Sequence, residues 1–308
     1  MPSRHSFMKG KGKTMKEQHN RHYSRHLQRE MEMSIYGHAG KPCLVFPPQD
    51  GKHGDWKAFG MIDAMADYIN DGRIQVFCCD SIDEETWSNQ YGDPRQRIER
   101  QEAYFNYICE ELVDWILDIN EVDCGLRAGK LMTTGASMGG YHAVNCMMRR
   151  PDLFDKVLSL SGLFQSDYFF HDYHDDLTYA NSPLNFLQNM PLDHPYIRMY
   201  NESEIILCCG QGAWEEQMID HMHRMQDVFA RKGIEAWIDF WGYDVNHDWP
   251  WWRRQIVYFL QFLVRGTSCN REKKRNQTVS ASFRFFTNRH KRTKAARGAL
   301  LLSNIILS

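Results

Sequence analysis

Seven short apolar or alternating segments recur along the chain, each closed by a turn signal, and helical patterns fill the gaps between them. They are MEMSIYG near 31–37, CLVFP at 43–47, IQVFCCD at 74–80, KLMTTG at 130–135, KVLSLSG at 156–162, EIILCCG at 204–210 and AWIDFWG at 236–242. Runs this short, several apolar at every position, suit strands buried on both faces of a sheet. Between them, Arg100 to Asn120 places Tyr104, Tyr107, Ile108, Leu112, Trp115, Ile116 and Ile119 at three-and-four spacing, the buried face of a long amphipathic helix. Residues Met138 to Arg149, stopped by Pro151, Trp214 to Lys232, stopped by Gly233, and Trp249 to Val264 read as further helices. Strands alternating with helices of this length predict an α/β fold with a mostly parallel central sheet covered by helices on both faces. Such sheets put their chemistry at the carboxyl ends of the strands.

The chain has 308 residues, 43% of them hydrophobic, enough for one large core. No internal repeat or Ser/Gly/Pro-rich linker divides residues 25 to 265, so residues 22–265 are expected to form one domain. Within it, Phe164 to Ser203 is too long for a tight connection and rich in aromatic and turn residues, which suits a cap over the sheet edge. Residues 1–21 and 266–308 are basic and are expected to be disordered extensions. From Arg271 onward ten Lys/Arg face one acid, Glu272, so the tail carries about +9 and the rest about −11 of a net −2. An acidic body disfavours a nucleic-acid groove and leaves the tail as the one candidate surface for polyanions. No apolar run is long enough to span a bilayer. The nine cysteines form no C-x-x-C ladder and several lie in strand-like runs, so they read as buried free thiols; with no signal-peptide apolar region, a cytoplasmic location is expected.

The chemistry concentrates after the fourth of these segments, where the chain reads TTGASMGGYHA. Gly135-Ala136-Ser137-Met138-Gly139 is a G-x-S-x-G between a predicted strand and a predicted helix, where a serine on a sharp turn projects its hydroxyl from the sheet rim. The small flanking residues let strand and helix approach, and the helix aims its free N–H groups at an oxyanion forming beside Ser137. A serine at its ordinary pKa is a weak nucleophile and needs a histidine base held by a carboxylate. His247, in GYDVNHDWPWWRR between the last strand and the last helix, can reach the elbow, with Trp249, Trp251 and Trp252 as rigid apolar mass around it. His142 follows Ser137 by five residues and is expected to point elsewhere; His171, His174, His221 and His223 fall on the cap or a helix face. The acid should follow the penultimate strand, where GQGAWEEQ offers Glu215, the preferred choice, or Glu216. Asp244 and Asp248 are rivals by proximity in sequence, but adjacent side chains seldom converge on one imidazole. Besides the Met138 N–H, an oxyanion hole needs a donor from the loop CLVFPPQDGKHGDW; Pro47 and Pro48 have none, which leaves Gln49 or Asp50.

The FPP loop before Asp50, GASMGG followed by YHA, RRPDLFDKVLSLSG, GQGAWEE and NHDWPWWR occur in one order across residues 22 to 264. In this the chain resembles the putative-esterase family of α/β-hydrolases, which includes esterase D (S-formylglutathione hydrolase), feruloyl esterases and mycolyltransferases. The resemblance implies an eight-stranded hydrolase sheet, a Ser137–Glu–His247 triad and ester hydrolysis without a cofactor. Two features depart from the family pattern: the acid is usually Asp, and the histidine often follows Gly-Gly where this chain has Val245-Asn246.

The expected activity is therefore that of a serine carboxylic-ester hydrolase working through an acyl-enzyme on a small acyl, aryl or sugar ester. An acyltransferase using the same residues and a non-catalytic hydrolase-fold binding protein are the competing classes. No cofactor or metal is expected: HDYHDD at 171–176 reads as a polar loop, and Gly210-Gln211-Gly212 lacks the third glycine of a dinucleotide fingerprint.

Overall fold

The computed structural model describes residues 15–265. It contains one eight-stranded sheet: β1 (Glu17–Ser24), β2 (Arg29–Tyr36), β3 (Lys41–Phe46), β4 (Ile74–Cys79), β5 (Leu131–Ala136), β6 (Phe154–Leu160), β7 (Glu204–Cys209) and β8 (Trp237–Phe240). The spatial order is β1-β2-β4-β3-β5-β6-β7-β8. β1 and β2 run antiparallel to their neighbours, and β3 through β8 are mutually parallel. Each of the seven anticipated segments is a strand. The eighth, EQHNRHYS, alternates exposed and half-buried polar residues over most of its length and pairs with β2 in full register. An edge strand has one neighbour and needs no apolar run. The expected domain start at residue 22 falls inside this strand.

Five longer helices cover the sheet: α1 (Pro94–Tyr107), α2 (Val113–Cys124), α3 (Met138–Arg149), α4 (Glu216–Lys232) and α5 (Trp249–Leu263). α1 and α2 are joined by a π-helical turn, Ile108–Leu112, so the periodicity seen from Arg100 to Asn120 is one continuous rod carrying a bulge. Asp93 caps it by accepting the Gln96 N–H. α1 to α4 share one apolar core, with Met147, Leu112 and Met222 fully buried. α5 and the short helices Asp55–Ala58, Met61–Ala64 and Ala66–Asn70 form the other, around Ile256, Phe259 and Met65. β5 is the central strand and is wholly buried. Its two threonines are satisfied locally, Thr133 Oγ1 donating to the Ala143 carbonyl and Thr134 Oγ1 to that of Leu158.

The segment between β6 and β7 folds as four short helices, Asp167–Phe170, Asp176–Ala180, Pro183–Asn189 and Pro195–Asn201. These pack into the α1–α4 core: Trp87 meets Tyr141, Phe169 and Phe170 edge-on, and the buried Arg97 guanidinium donates to the carbonyls of Trp87 and Phe169. Asp175, in HDYHDD, forms a reciprocal capping box with Thr178, which accounts for one acid of that loop.

Seven cysteines are buried free thiols, as expected. Cys124 departs from that expectation. It lies at the end of α2, outside the apolar strands, and is disulfide-bonded. Cys269 and the basic tail lie outside the described residues, as do residues 1–14 of the N-terminal extension. Among the described residues no helix is long and apolar enough to cross a membrane.

Candidate active site

Ser137 stands at the turn between β5 and α3 with φ 57 and ψ −123, a conformation that β-carbon-bearing residues rarely adopt. Two glycines make the turn possible. A Cβ on Gly135 would lie 2.2 Å from the Gly139 carbonyl carbon, and one on Gly139 would lie 2.3 Å from the Phe46 carbonyl oxygen. The start of α3 therefore rests directly on the end of β3, which brings the Met138 N–H to the loop Pro47–Gly51. Met138, Gln49 and Asp50 N–H groups donate to no group among the described residues, and neither does the Ser137 hydroxyl. The loop is stiffened by its prolines, by the Gly51 N–H bonding back to the Pro48 carbonyl at 2.9 Å, and by Asp50 at φ 59. Ser88 pins it from outside, donating to Asp50 Oδ1 at 2.6 Å while its Oγ accepts from Gln49 Nε2 at 2.8 Å.

Glu215 and His247 meet at the ends of β7 and β8. His247 Nδ1 faces Glu215 Oε2 at 3.5 Å, an ion-pair distance longer than a hydrogen bond, and neither atom has another partner. Glu215 is fully buried at the start of α4, whose positive end favours a carboxylate. Its other oxygen accepts the Ser161 hydroxyl at 2.6 Å and the Gly210 N–H at 3.3 Å. Glu216, the rival acid, is exposed on the first turn of α4. Asp248 caps α5 by accepting the Trp249 N–H.

The two loops that carry this pair are bonded to each other. Gly212 N–H donates to the Val245 carbonyl, Ala213 N–H to Asn246 Oδ1, and His247 N–H to the Ala213 carbonyl, all within 2.9–3.0 Å. Val245 and Asn246 thus supply the buried anchor and the side-chain acceptor that hold the histidine loop. Gly210 permits the approach, since a Cβ there would sit 1.9 Å from the Val245 carbonyl oxygen.

Sequence reasoning missed Ser161. It follows β6 at φ 51, donates to Glu215 and accepts the Trp252 indole N–H at 3.2 Å. Trp252 in turn stands edge-on to His247, with ring centroids 5.0 Å apart, so one tryptophan braces both the imidazole and the acid's partner. Its only sequence signal was a serine closing the run KVLSLSG. Of the other tryptophans, Trp249 packs on Trp252 and stacks on Phe59, whereas Trp251 lies under Arg254.

The remaining histidines fall elsewhere. His142 Nε2 binds Asp83 Oδ1 at 2.9 Å, both buried. His221 Nδ1 accepts the Phe164 N–H, and burial pushes its pKa down to about 4. His171 and His174 are exposed in the segment between β6 and β7, and His223 stacks on Phe240. A cavity of about 320 Å³ on that segment is lined by His174, Asp175, Tyr179 and Asn185, none of them on the Ser137, Glu215 or His247 loops.

The putative-esterase family model matches residues 24–263. The chain belongs to this family. The esterase shares its α/β-hydrolase fold with a ferulic acid esterase, at TM-score 0.64 and 16% identity over 82% of this chain and 98% of the other. It is similar to S-formylglutathione hydrolase from Staphylococcus aureus, at TM-score 0.60 and 14% identity over 82% and 100% of the two chains. It also resembles the fluorophosphonate-binding serine hydrolase F of the same organism, at TM-score 0.59 and 15% identity over 82% and 99%. No curated protein matches the esterase by sequence.

Proposed function

We propose that this esterase hydrolyses small carboxylic esters through an acyl-enzyme on Ser137, with His247 as base, Glu215 as orienting acid, and the N–H groups of Met138 and of Gln49 or Asp50 as oxyanion donors. The observation that carries this reading is the buried Glu215 facing His247 Nδ1 at the strand rim from which the strained Ser137 turn projects. A carboxylate at Nδ1 holds the proton there and leaves Nε2 as a lone-pair base. His247 takes the Ser137 proton as Oγ bonds to the ester carbonyl carbon. The oxyanion gathers at the free N–H groups, the C–O ester bond breaks, and the imidazolium passes its proton to the leaving alkoxide. Water, deprotonated by the same imidazole, then attacks the acyl-enzyme, and Ser137 regains its proton as the acid leaves.

The 3.5 Å separation between His247 and Glu215 is compatible with this scheme, because catalytic hydrogen bonds often tighten only as substrate binds. General-base assistance supplies about 10²- to 10⁴-fold and one oxyanion donor about 10²- to 10³-fold. The aromatic cap supports an acyl, aryl or sugar ester as substrate. The seven buried free thiols support a cytoplasmic setting.

Ser137→Ala tests the proposal. Turnover of a short-chain nitrophenyl ester and covalent labelling by a fluorophosphonate should both vanish, with the fold retained by circular dichroism. A variant that turns over at the parent rate would overturn it.

A further inference from the structure

Away from the Ser137 site, His19, Glu32 and His53 bring three metal-ligating atoms within 4.8 Å of one another. His19 Nε2 lies 3.1 Å and His53 Nε2 3.2 Å from the same carboxylate oxygen, Glu32 Oε2. A tetrahedral zinc-class ion with bonds of about 2.05 Å separates its donors by about 3.3 Å, so two of the three spacings are already those of a coordination sphere. The third closes by a rotation of His19, whose side chain is half exposed on the edge strand.

The residues around the cluster serve it. Arg21 bonds the other Glu32 oxygen, which leaves Oε2 for a ligand. Ser34 Oγ lies 2.7 Å from His53 Nδ1. A hydroxyl both donates and accepts, so it can take the Nδ1 proton of the tautomer whose Nε2 lone pair binds metal. The His53 N–H donates to Asp80 Oδ1 at 2.9 Å, which fixes the loop beneath the ring. Strand register puts His19 opposite Ser34 and Arg21 opposite Glu32 on one face of the β1–β2 ribbon, and His53 reaches that face from the loop after β3.

We infer that His19, Glu32 and His53 form a binding site for a zinc-class divalent transition metal, with water completing the sphere. The ion would fasten the loop that carries Gln49 and Asp50, three residues from His53, to the β1–β2 edge. Two imidazoles and one carboxylate favour Zn²⁺, Co²⁺ or Ni²⁺ over Mg²⁺ or Ca²⁺, which take oxygen ligands.

The test is calorimetric Zn²⁺ titration and Co²⁺ visible absorption on the full chain, comparing the parent with His19→Gln, Glu32→Gln and Ser34→Ala. His19 is on the exposed face of an edge strand, so His19→Gln should fold even if the other two do not. The parent should bind Zn²⁺ in the micromolar range or tighter and show the intense d–d bands of a low-symmetry Co²⁺ centre. Removing a supporting partner of a metal ligand costs about 10- to 100-fold in affinity, so Ser34→Ala should weaken binding by about that much and His19→Gln by more. A parent that takes up no Zn²⁺ or Co²⁺ at millimolar concentration overturns the inference, as does unchanged binding and spectrum in His19→Gln. Neither readout depends on the Ser137 reaction.

Discussion

Replacing Glu215 by glutamine changes one oxygen to an amide nitrogen inside a site with no room for rearrangement. The side chain is fully buried, and its Oε1 already accepts the Ser161 hydroxyl and the Gly210 N–H. The amide oxygen must keep that position, because the alternative flip would set NH₂ against two donors. The amide nitrogen therefore takes the Oε2 position and donates to His247 Nδ1. That bond selects the tautomer protonated at Nε2, which cannot accept the Ser137 proton, and the charge that steadied the imidazolium is gone. The equivalent change in a serine protease triad lowers kcat about 10⁴-fold. We expect about 10³- to 10⁴-fold here, or about 4–5 kcal/mol of transition-state stabilisation. KM should stay within about threefold, since no substrate contact is lost. Thermal stability should barely move, because volume and both native hydrogen bonds are kept. The assay is steady-state hydrolysis of a nitrophenyl ester alongside a melting curve. Glu216→Gln, on the exposed first turn of α4, should match the parent within about twofold. A Glu215→Gln enzyme retaining a tenth of parental kcat, or an equal loss in Glu216→Gln, would refute the reasoning.

Gly139→Ala places a methyl 2.3 Å from the Phe46 carbonyl oxygen; the start of α3 must move off the Pro47–Gly51 loop, and kcat should fall by about 100-fold or more. Gly54→Ala, with nothing within 4 Å, should be active and stable, and equal activity in the two variants would contradict this account. His221 stays neutral in the native state down to about pH 4 because burial penalises its charged form. The unfolded chain protonates it near its ordinary pKa of 6.5, so stability should fall by about 3 kcal/mol as pH drops from 6.5 to 4 and level off below. Urea midpoints at neutral and acid pH check this, and a His221→Gln variant with an unchanged pH slope would exclude His221 as its source. Asp83→Ala strands the buried His142 ring and should cost about 3 kcal/mol, a melting-point drop of about 6–12 °C; a shift below about 2 °C would show that the pair contributes little.

Seven of the eight strands were legible as short apolar or alternating segments closed by turn signals; β3, β4 and β7 are buried over nearly their whole length and read as almost unbroken apolar runs, whereas β8, at the other sheet edge, is half-buried. β1 was not, since an edge strand whose faces are exposed or half-buried over most of their length needs no apolar run. The candidates Ser137, His247 and Glu215 could be picked out from their places after β5, β8 and β7, because the strand rim confines where a proposed triad could assemble. Sequence order narrowed the acid to Glu215 or Glu216 without separating them, and the two differ in burial, Glu215 being enclosed and Glu216 exposed. Ser161 could not be found: its contribution depends on a positive φ and on a hydroxyl aimed across the sheet at Glu215, and neither leaves a mark in sequence. The bonding of Asn246 to Ala213 was equally invisible, since it joins residues 33 positions apart. Cys124 shows the same limit, because a disulfide leaves no local pattern.

The mutual bonding of the 210–213 and 242–247 loops has a practical consequence. The loops that carry Glu215 and His247 hang on each other's backbones, and among the described residues no hydrogen bond links either loop to the helices between β6 and β7. Grafting one of the two rim loops alone would carry half of a shared hinge and should fail.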